Sequence, residues 1–165
     1  MSEKTHVNHE FGPFFDEESE ILVLGSFPSV LSRKQGFYYG NPRNRFWMIL
    51  QEVFGEPVPN DVEGRKNFCK RHHIALYDAI EECDIVGSKD DSIENIVPAD
   101  VQSIVLGSKI KRIVLNGNAA KHYFLTFQPN FDHVELFFMP STSPANAAWS
   151  LPRLVEIWKS ALNNY

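Results

Sequence analysis

Cysteine is nearly missing from this 165-residue chain, with Cys69 and Cys83 the only two. Two thiols cannot build the disulfide framework of a small secreted scaffold, which points to an intracellular compartment. Long apolar runs are lacking as well. No stretch approaches the roughly 20 residues of a membrane-spanning helix, and the N-terminus has no charged-then-apolar leader. A cytoplasmic protein without a membrane partner is therefore expected. The sequence contains no GxGxxG, no P-loop and no GxSxG elbow, so nucleotide cofactors and serine hydrolysis lose support. Metal ligands are sparse. Cys69, His72 and His73 lie close together, but zinc would need a further ligand or an open position, and Cys83 lies across a predicted strand. A helix end with a buried thiol is the better reading, and no metal is expected.

What is present fits one soluble domain. An apolar fraction of 43% with 22% charged residues is ordinary for a globular protein, and the length suffices for a full hydrophobic core. Net charge is −5, which counts against a nucleic-acid partner until its distribution is considered. Residues 26–51 hold Arg33, Lys34, Arg43 and Arg45 and no carboxylate. Residues 101–131 hold Lys109, Lys111, Arg112 and Lys121, again with no carboxylate. Eight acids gather in residues 78–100 against the single Lys89. Such sorting permits a basic face on an acidic protein; solvated helix faces would give the same tally.

Residues 1–19 are polar and acidic and read as a flexible lead-in, leaving 20–165 as the domain. Ile21–Gly25 is a short, continuously apolar run, as expected of a strand covered on both faces. Residues 27–47 follow, a loop rich in cations, aromatic rings and turn formers. Asn41 and Pro42 read as the cap and first position of a helix whose stripe Phe46, Trp47, Leu50, Val53 and Phe54 ends at Gly55. A polar helix is predicted over 61–72 and a strand over 74–77 that delivers Asp78. The acidic stretch after it reads as loop-rich, with a short helix from about Asp100. Further strands are predicted at 112–115 and 134–139, and further helices at 119–127 and 150–164. Alternating strands and helices imply an α/β fold, a parallel sheet with helices on both faces. Ligands of such sheets sit beyond the carboxyl ends of the strands, here the loops after Gly25, Tyr77, Leu115 and Met139.

In the first of these loops, Tyr38 and Tyr39 could stack on a planar ligand or close a hydrophobic lid. Asn44 could present an amide to a ligand or merely cap the helix. Arg43 and Arg45 could contact phosphate or be solvated. The last loop, Pro140-Ser141-Thr142-Ser143-Pro144-Ala145-Asn146, is braced by prolines and crowded with hydroxyls, a composition that can grip a phosphate backbone or cap the final helix.

Two motifs, in order and at the ends of strands, resemble the uracil-DNA glycosylase superfamily, and within it the hypoxanthine-DNA glycosylase branch called family 6. One is the G-x-x-P loop Gly25-Ser26-Phe27-Pro28-Ser29 with the following Tyr38-Tyr39-Gly40-Asn41-Pro42-Arg43-Asn44-Arg45-Phe46-Trp47; the other is Ser141-Thr142-Ser143-Pro144. The resemblance covers about residues 20–160. It implies a three-layer α/β/α sandwich with a short, mainly parallel four-stranded sheet. It also implies a monofunctional, monomeric glycosylase that flips a deaminated base from double- or single-stranded DNA and hydrolyses its N-glycosidic bond without a cofactor. Relatives with iron–sulfur clusters use four cysteines, so that variant is excluded. Phe27 stands where the uracil enzymes carry a water-positioning Asp or Asn, and Ser141 where many carry a His. In the hypoxanthine branch the Asn of P-x-N-x-F-W is catalytic, and that residue is Asn44. The resemblance further implies Tyr39 stacking on the base beside Phe27, with Asp78 and Asn116 at the base edge. Ser26, Pro28 and Ser29, the loop residues Ser141, Thr142, Ser143, Pro144 and Asn146, and the cations Arg43, Arg45 and Lys121 would meet DNA. Rival readings are a uracil or mismatch-specific glycosylase, a binding module that lost the chemistry, and a hydrolase of free nucleosides.

Overall fold

The computed structural model describes residues 4–163. In chain order the strands are β1 (Thr5–Asn8), β2 (Ile21–Gly25), β3 (Ile74–Asp78), β4 (Ile80–Ile85), β5 (Glu94–Pro98), β6 (Arg112–Asn116) and β7 (Glu135–Met139). The helices are α1 (Val30–Gln35), α2 (Phe46–Phe54), α3 (Val62–Arg71), α4 (Val101–Leu106), α5 (Asn118–Phe127) and α6 (Leu151–Leu162). Four strands form one parallel sheet in the order β3-β2-β6-β7. Ile21, Leu22, Val23 and Leu24 are buried on both faces at its centre, which is why β2 reads as an unbroken apolar run. Packing of α5 on β6 and β2, of α6 on β7 and of α3 on β3 completes the three-layer α/β/α sandwich.

Helix ends follow the sequence closely where a short polar residue is available. Ser29, Asp61, Asp100 and Ser150 each accept a backbone N–H of the first turn, and Gly36 and Gly55 close α1 and α2 in left-handed conformation. Helix α2 is the exception. Asn41 and Pro42 do not open it; Asn41 Oδ1 accepts the Arg43 N–H instead, a local turn, and the helix begins at Phe46. Phe46, Ile49 and Leu50 are fully buried along its stripe, each stabilising by about 1.5–3 kcal/mol.

A second, antiparallel sheet of order β1-β4-β5 corrects two expectations. The acidic stretch after Asp78 is a bulged hairpin rather than loop, because Ile80, Cys83 and Ile85 face a small core with Phe27 and Ile93 while the acids face water. Part of the expected flexible lead-in is the strand β1, paired along β4 from Thr5 opposite Ile85 to Asn8 opposite Glu82. Phe14 also bridges Leu76 through two 2.9 Å backbone hydrogen bonds. Met1, Ser2 and Glu3 of that lead-in, and Asn164 of the predicted last helix, lie outside the described residues.

His6 on β1 faces Asp84 at 2.8 Å and Glu82 at 3.0 Å on β4. Hydrogen bonding, to Asp84 first and then Glu82, raises its pKa from 6.5. A raised histidine stabilises the folded state fully below its unfolded pKa, and that contribution is lost as pH rises through the folded value. Amide exchange of β1, corrected for intrinsic rates, should accordingly speed up above neutral pH, and His6→Ala should remove the difference. A pH-independent β1 in the unmutated protein would show that the ion pairs do not hold it.

Candidate active site

All four parallel strands end on the same rim, so the loops after Gly25, Asp78, Asn116 and Met139 converge. They enclose a cleft of about 510 Å³. Of the residues singled out from sequence, Ser26, Phe27, Pro28, Ser29, Tyr39, Asn44, Asp78, Asn116, Ser141, Thr142, Ser143 and Pro144 line it; Arg43, Arg45, Lys121 and Asn146 do not.

Thr142 holds the two motif loops together. Its side chain is wholly buried. Its hydroxyl donates to Asn44 Oδ1 at 2.8 Å and accepts from Asn116 Nδ2 at 3.0 Å, while its backbone N–H donates to Asn116 Oδ1 at 3.0 Å. Arg45 fastens the same loops from below. Its backbone N–H donates to the Thr142 carbonyl at 3.1 Å, and its guanidinium donates to the carbonyls of Ser143, Asn146 and Trp149. Asn146 folds back on the Ser141 carbonyl, and Trp158 anchors the start of the loop through Pro140. Thr142, Arg45 and Asn146, expected at DNA, direct these bonds to the loop itself, because backbone carbonyls in a tight turn need donors. Ser141 and Ser143 accept the N–H groups of Ser143 and Ala145, which leaves their own O–H groups to donate outward.

The orientation of Asn44 is fixed by chemistry. The Phe46 backbone N–H, 3.0 Å away, can only donate, so the atom facing it is the amide oxygen. That oxygen accepts twice, from Phe46 and from Thr142. Nδ2 has no partner among the described residues. Asn44 thus caps α2 and also offers two N–H donors at the cleft.

Asn116 is likewise committed. It accepts from Thr142 N–H and donates to Thr142 Oγ1 and, at 3.3 Å, to the Tyr39 hydroxyl. The expectation that it reads a base edge gives way to a bracing role. Tyr39 sits at φ 54 and stacks on Phe46 with ring centroids 4.1 Å apart, so one of its faces is covered by protein. Burial, and then the Asp78 carboxylate, push its phenol well above the usual range, keeping it a neutral O–H. Tyr38, the other stacking candidate, is buried and donates to the Gly12 carbonyl.

Asp78 is 3% exposed, with Oδ2 held 2.8 Å from His9 Nε2. A Cβ on Gly25 would lie 2.5 Å from Asp78 Oδ1 and 3.5 Å from the Tyr39 hydroxyl, so only glycine lets this carboxylate reach its place. His9 is a partner that sequence reasoning missed, since it sits in a segment with no apolar pattern. The hairpin rim was missed too. Ser26 donates to Asp90 at 2.6 Å, Val30 N–H to Ser88 at 3.0 Å and Arg33 to the Gly87 carbonyl at 2.8 Å, drawing residues 87–91 over one side of the cleft. Phe27 lies between cleft and small core, with the Arg33 guanidinium 5.8 Å over its ring. Arg43 and Lys121 are exposed, and Lys121 lies 4.7 Å over the Phe138 ring. The Cys69–His72–His73 group does not converge: Cys69 is buried, and His72 stacks on Phe54 and meets Glu56.

Residues 13–162 match the family described as the uracil DNA glycosylase superfamily. The chain belongs to that superfamily. Two curated relatives are named hypoxanthine DNA glycosylase. The one from Methanosarcina acetivorans is 30% identical over 96% of this chain and 99% of its own length. The one from Methanosarcina barkeri is 32% identical over 68% of this chain and 73% of its own length. A solution structure from Methanosarcina acetivorans, described as a candidate uracil DNA glycosylase, superposes with a TM-score of 0.78 at 32% identity, covering 92% of this chain and 94% of that one. Membership makes the chain a DNA glycosylase, a hydrolase of N-glycosyl bonds. Among the described residues no helix is long and apolar enough to cross a membrane.

The Thr142 network can be tested directly. Thr142→Val keeps the shape but leaves the Asn116 amide one buried partner short, at a cost of about 1–3 kcal/mol. Thr142→Ser keeps the hydroxyl and loses one methyl, about 0.8 kcal/mol. Urea melts should therefore rank Ser above Val; the reverse order would mean that packing, not hydrogen bonding, ties the loops.

Proposed function

We propose that this chain excises deaminated bases from DNA, hypoxanthine foremost, in cytoplasmic base-excision repair. The observation that carries the reading is the Asn44 amide, its oxygen locked by Phe46 and Thr142 and its Nδ2 free at a cleft large enough for a flipped base. In this mechanism the target nucleotide is extruded at a cost of a few kcal/mol, less for a mispaired lesion. The base enters beside Tyr39 and Phe27, and Asp78 meets its edge. As the glycosidic bond lengthens, positive charge builds on the sugar. A water holding one lone pair toward Asn44 Nδ2–H keeps the other for C1′. An oxocarbenium-like centre is electrophilic enough that placing the water matters more than deprotonating it. Phe27 and Ser141, in place of the Asp or Asn and the His of uracil enzymes, support the hypoxanthine assignment. So do the names of the two curated relatives. The O–H groups of Ser141 and Ser143 and the exposed Arg43 and Lys121 would hold the flanking phosphates.

The test is incubation with duplexes carrying hypoxanthine, uracil or xanthine, followed by alkaline cleavage of abasic sites. Hypoxanthine should be removed fastest. Cutting confined to uracil would overturn the base assignment, and binding without cutting would favour a module that lost the chemistry. In the same assay Asn44→Ala should lose about 10²-fold or more in single-turnover rate, the scale for removing one oriented transition-state group. Its stability should fall by only about 0.5–2 kcal/mol as a lost cap. Asn44→Asp accepts from Phe46 and Thr142 as before and should keep the stability while losing the N–H donors. A folded Asn44→Ala enzyme with near-normal rates would remove Asn44 from the mechanism.

Binding gives an independent check. If Arg43 and Lys121 neutralise phosphates, log affinity should fall with log salt at a slope of about −0.9 per phosphate contacted. Arg43→Gln and Lys121→Gln should each flatten it by about one contact. A slope near zero in the unmutated protein would instead favour a free nucleoside as substrate.

A further inference from the structure

His9 is fully buried, yet it comes from the N-terminal segment that pairs with the hairpin rather than from either motif loop. Its backbone N–H donates to the Glu81 carbonyl at 2.7 Å, and its ring is enclosed by Phe11, Phe27, Tyr38 and Tyr77 at centroid distances of 4.6 to 6.1 Å. Nε2 meets Asp78 Oδ2 at 2.8 Å, whereas Nδ1 is buried without a partner among the described residues. A histidine serving only to fill space would be better replaced by an apolar ring, because an unpaired buried nitrogen costs free energy. The contact with Asp78 is the one polar function this ring performs.

Asp78 is equally lopsided. His9 holds Oδ2, and no other hydrogen bond reaches the side chain among the described residues. Oδ1 lies against Gly25, where any side chain would displace it, and Asp78 lines the cleft. The free half of the carboxylate is thus a fixed acceptor at the cleft floor.

Deamination changes a base in one consistent way. Adenine and cytosine carry a lone pair on the ring nitrogen beside the exocyclic amine. Hypoxanthine and uracil carry an N–H at that nitrogen, beside a carbonyl. A carboxylate oxygen accepts from that N–H and repels the lone pair, which separates hypoxanthine from adenine and uracil from cytosine; guanine and thymine carry the same N–H and are not rejected by this contact. We propose that His9 and Asp78 form a base-reading pair: the Nε2–H of His9 fixes Asp78, whose Oδ1 accepts the ring N–H of a deaminated base. His9 is a positioning residue here, and Asp78 discriminates a deaminated base from the adenine or cytosine it came from. This inference rests on the base-excision reading above and deepens it by assigning the discriminating contact. The N-terminal segment then contributes to specificity through the one residue it delivers beneath the cleft.

The experiment is competitive binding of the full chain to oligonucleotides that bear 2′-fluorinated deoxyinosine, 2′-fluorinated deoxyadenosine or an abasic analogue, none of which is cleaved. The unmutated protein should bind the inosine oligonucleotide at least tenfold more tightly than the adenosine one. Asp78→Asn, which keeps the shape, and His9→Leu should each shrink that ratio toward one while affinity for the abasic oligonucleotide stays unchanged. His9→Gln, whose amide can still donate to Asp78, should recover much of the preference. The proposal is overturned by a folded Asp78→Asn that keeps the full ratio. It is equally overturned if His9→Leu lowers melting temperature and abasic affinity with the ratio intact, since His9 would then be only structural. Failure of the underlying reading looks different: the unmutated protein would release no base from unfluorinated inosine DNA, whatever its binding preference.

Discussion

The hydroxyl of Thr142 is the link on which the arrangement of the two motif loops turns. It is one buried O–H between two amides from different parts of the chain. By accepting from Asn116 it fixes the end of β6, and by donating to Asn44 it fixes the entry to α2. Each partner is then locked in one amide orientation, since Phe46 N–H and Thr142 N–H can only donate. In a buried setting such a network is worth keeping only when every member is satisfied. Here the satisfied members form the frame, and the groups left over, Asn44 Nδ2 and one oxygen of Asp78, are those that face the cleft. Arg45 belongs to the same frame. A loop that presents hydroxyls outward must have its carbonyls capped from within, and the guanidinium does that for three of them.

Much of this was legible in the sequence for physical reasons. Strands β2, β3 and β6 are buried along their whole length and read as short, mostly apolar runs, whereas the edge strand β7 leaves Glu135 and Phe138 exposed. The helices predicted over 61–72, from about Asp100 and over 150–164 form as α3, α4 and α6, each opened by a short polar side chain (Asp61, Asp100, Ser150), whereas α1, opened by Ser29, lies in the stretch read as loop. Asn44 could be singled out, but not its dual bond to Phe46 and Thr142, which depends on a residue 98 positions away. The second sheet was hidden because its strands are bulged and half solvent-facing, so acids interrupt the alternation that would reveal them. His9 was hidden more completely. Nothing in a polar N-terminal stretch distinguishes a histidine that enters the core from one that faces water, and its partner is 69 residues distant.

Charge has a similar lesson. The net −5 is a property of the whole chain, whereas a binding partner meets only part of its surface. Many of the acids sit on the hairpin, where several are tied up: Asp84 with His6 and Asn95, and Asp90 with Ser26. The cations Arg45 and Arg112 are also engaged in holding backbone carbonyls. These bonds leave the formal charges in place but fix where they sit, so a phosphate backbone responds to their positions rather than to the count. Arg43 and Lys121 remain exposed, and the hydroxyls of Ser141 and Ser143 are left with their O–H groups to donate.

The central claim is that a flipped deaminated base sits in the cleft with its sugar beside Asn44 and its edge on Asp78. A structure of the protein bound to a duplex carrying one 2′-fluorinated deoxyinosine would test it most directly. The account predicts the base out of the helix beside Tyr39 and Phe27, Asn44 Nδ2 within one water of C1′, and Asp78 Oδ1 within hydrogen-bond distance of N1. A base lodged elsewhere, or in the cleft but with its sugar remote from Asn44, would contradict it.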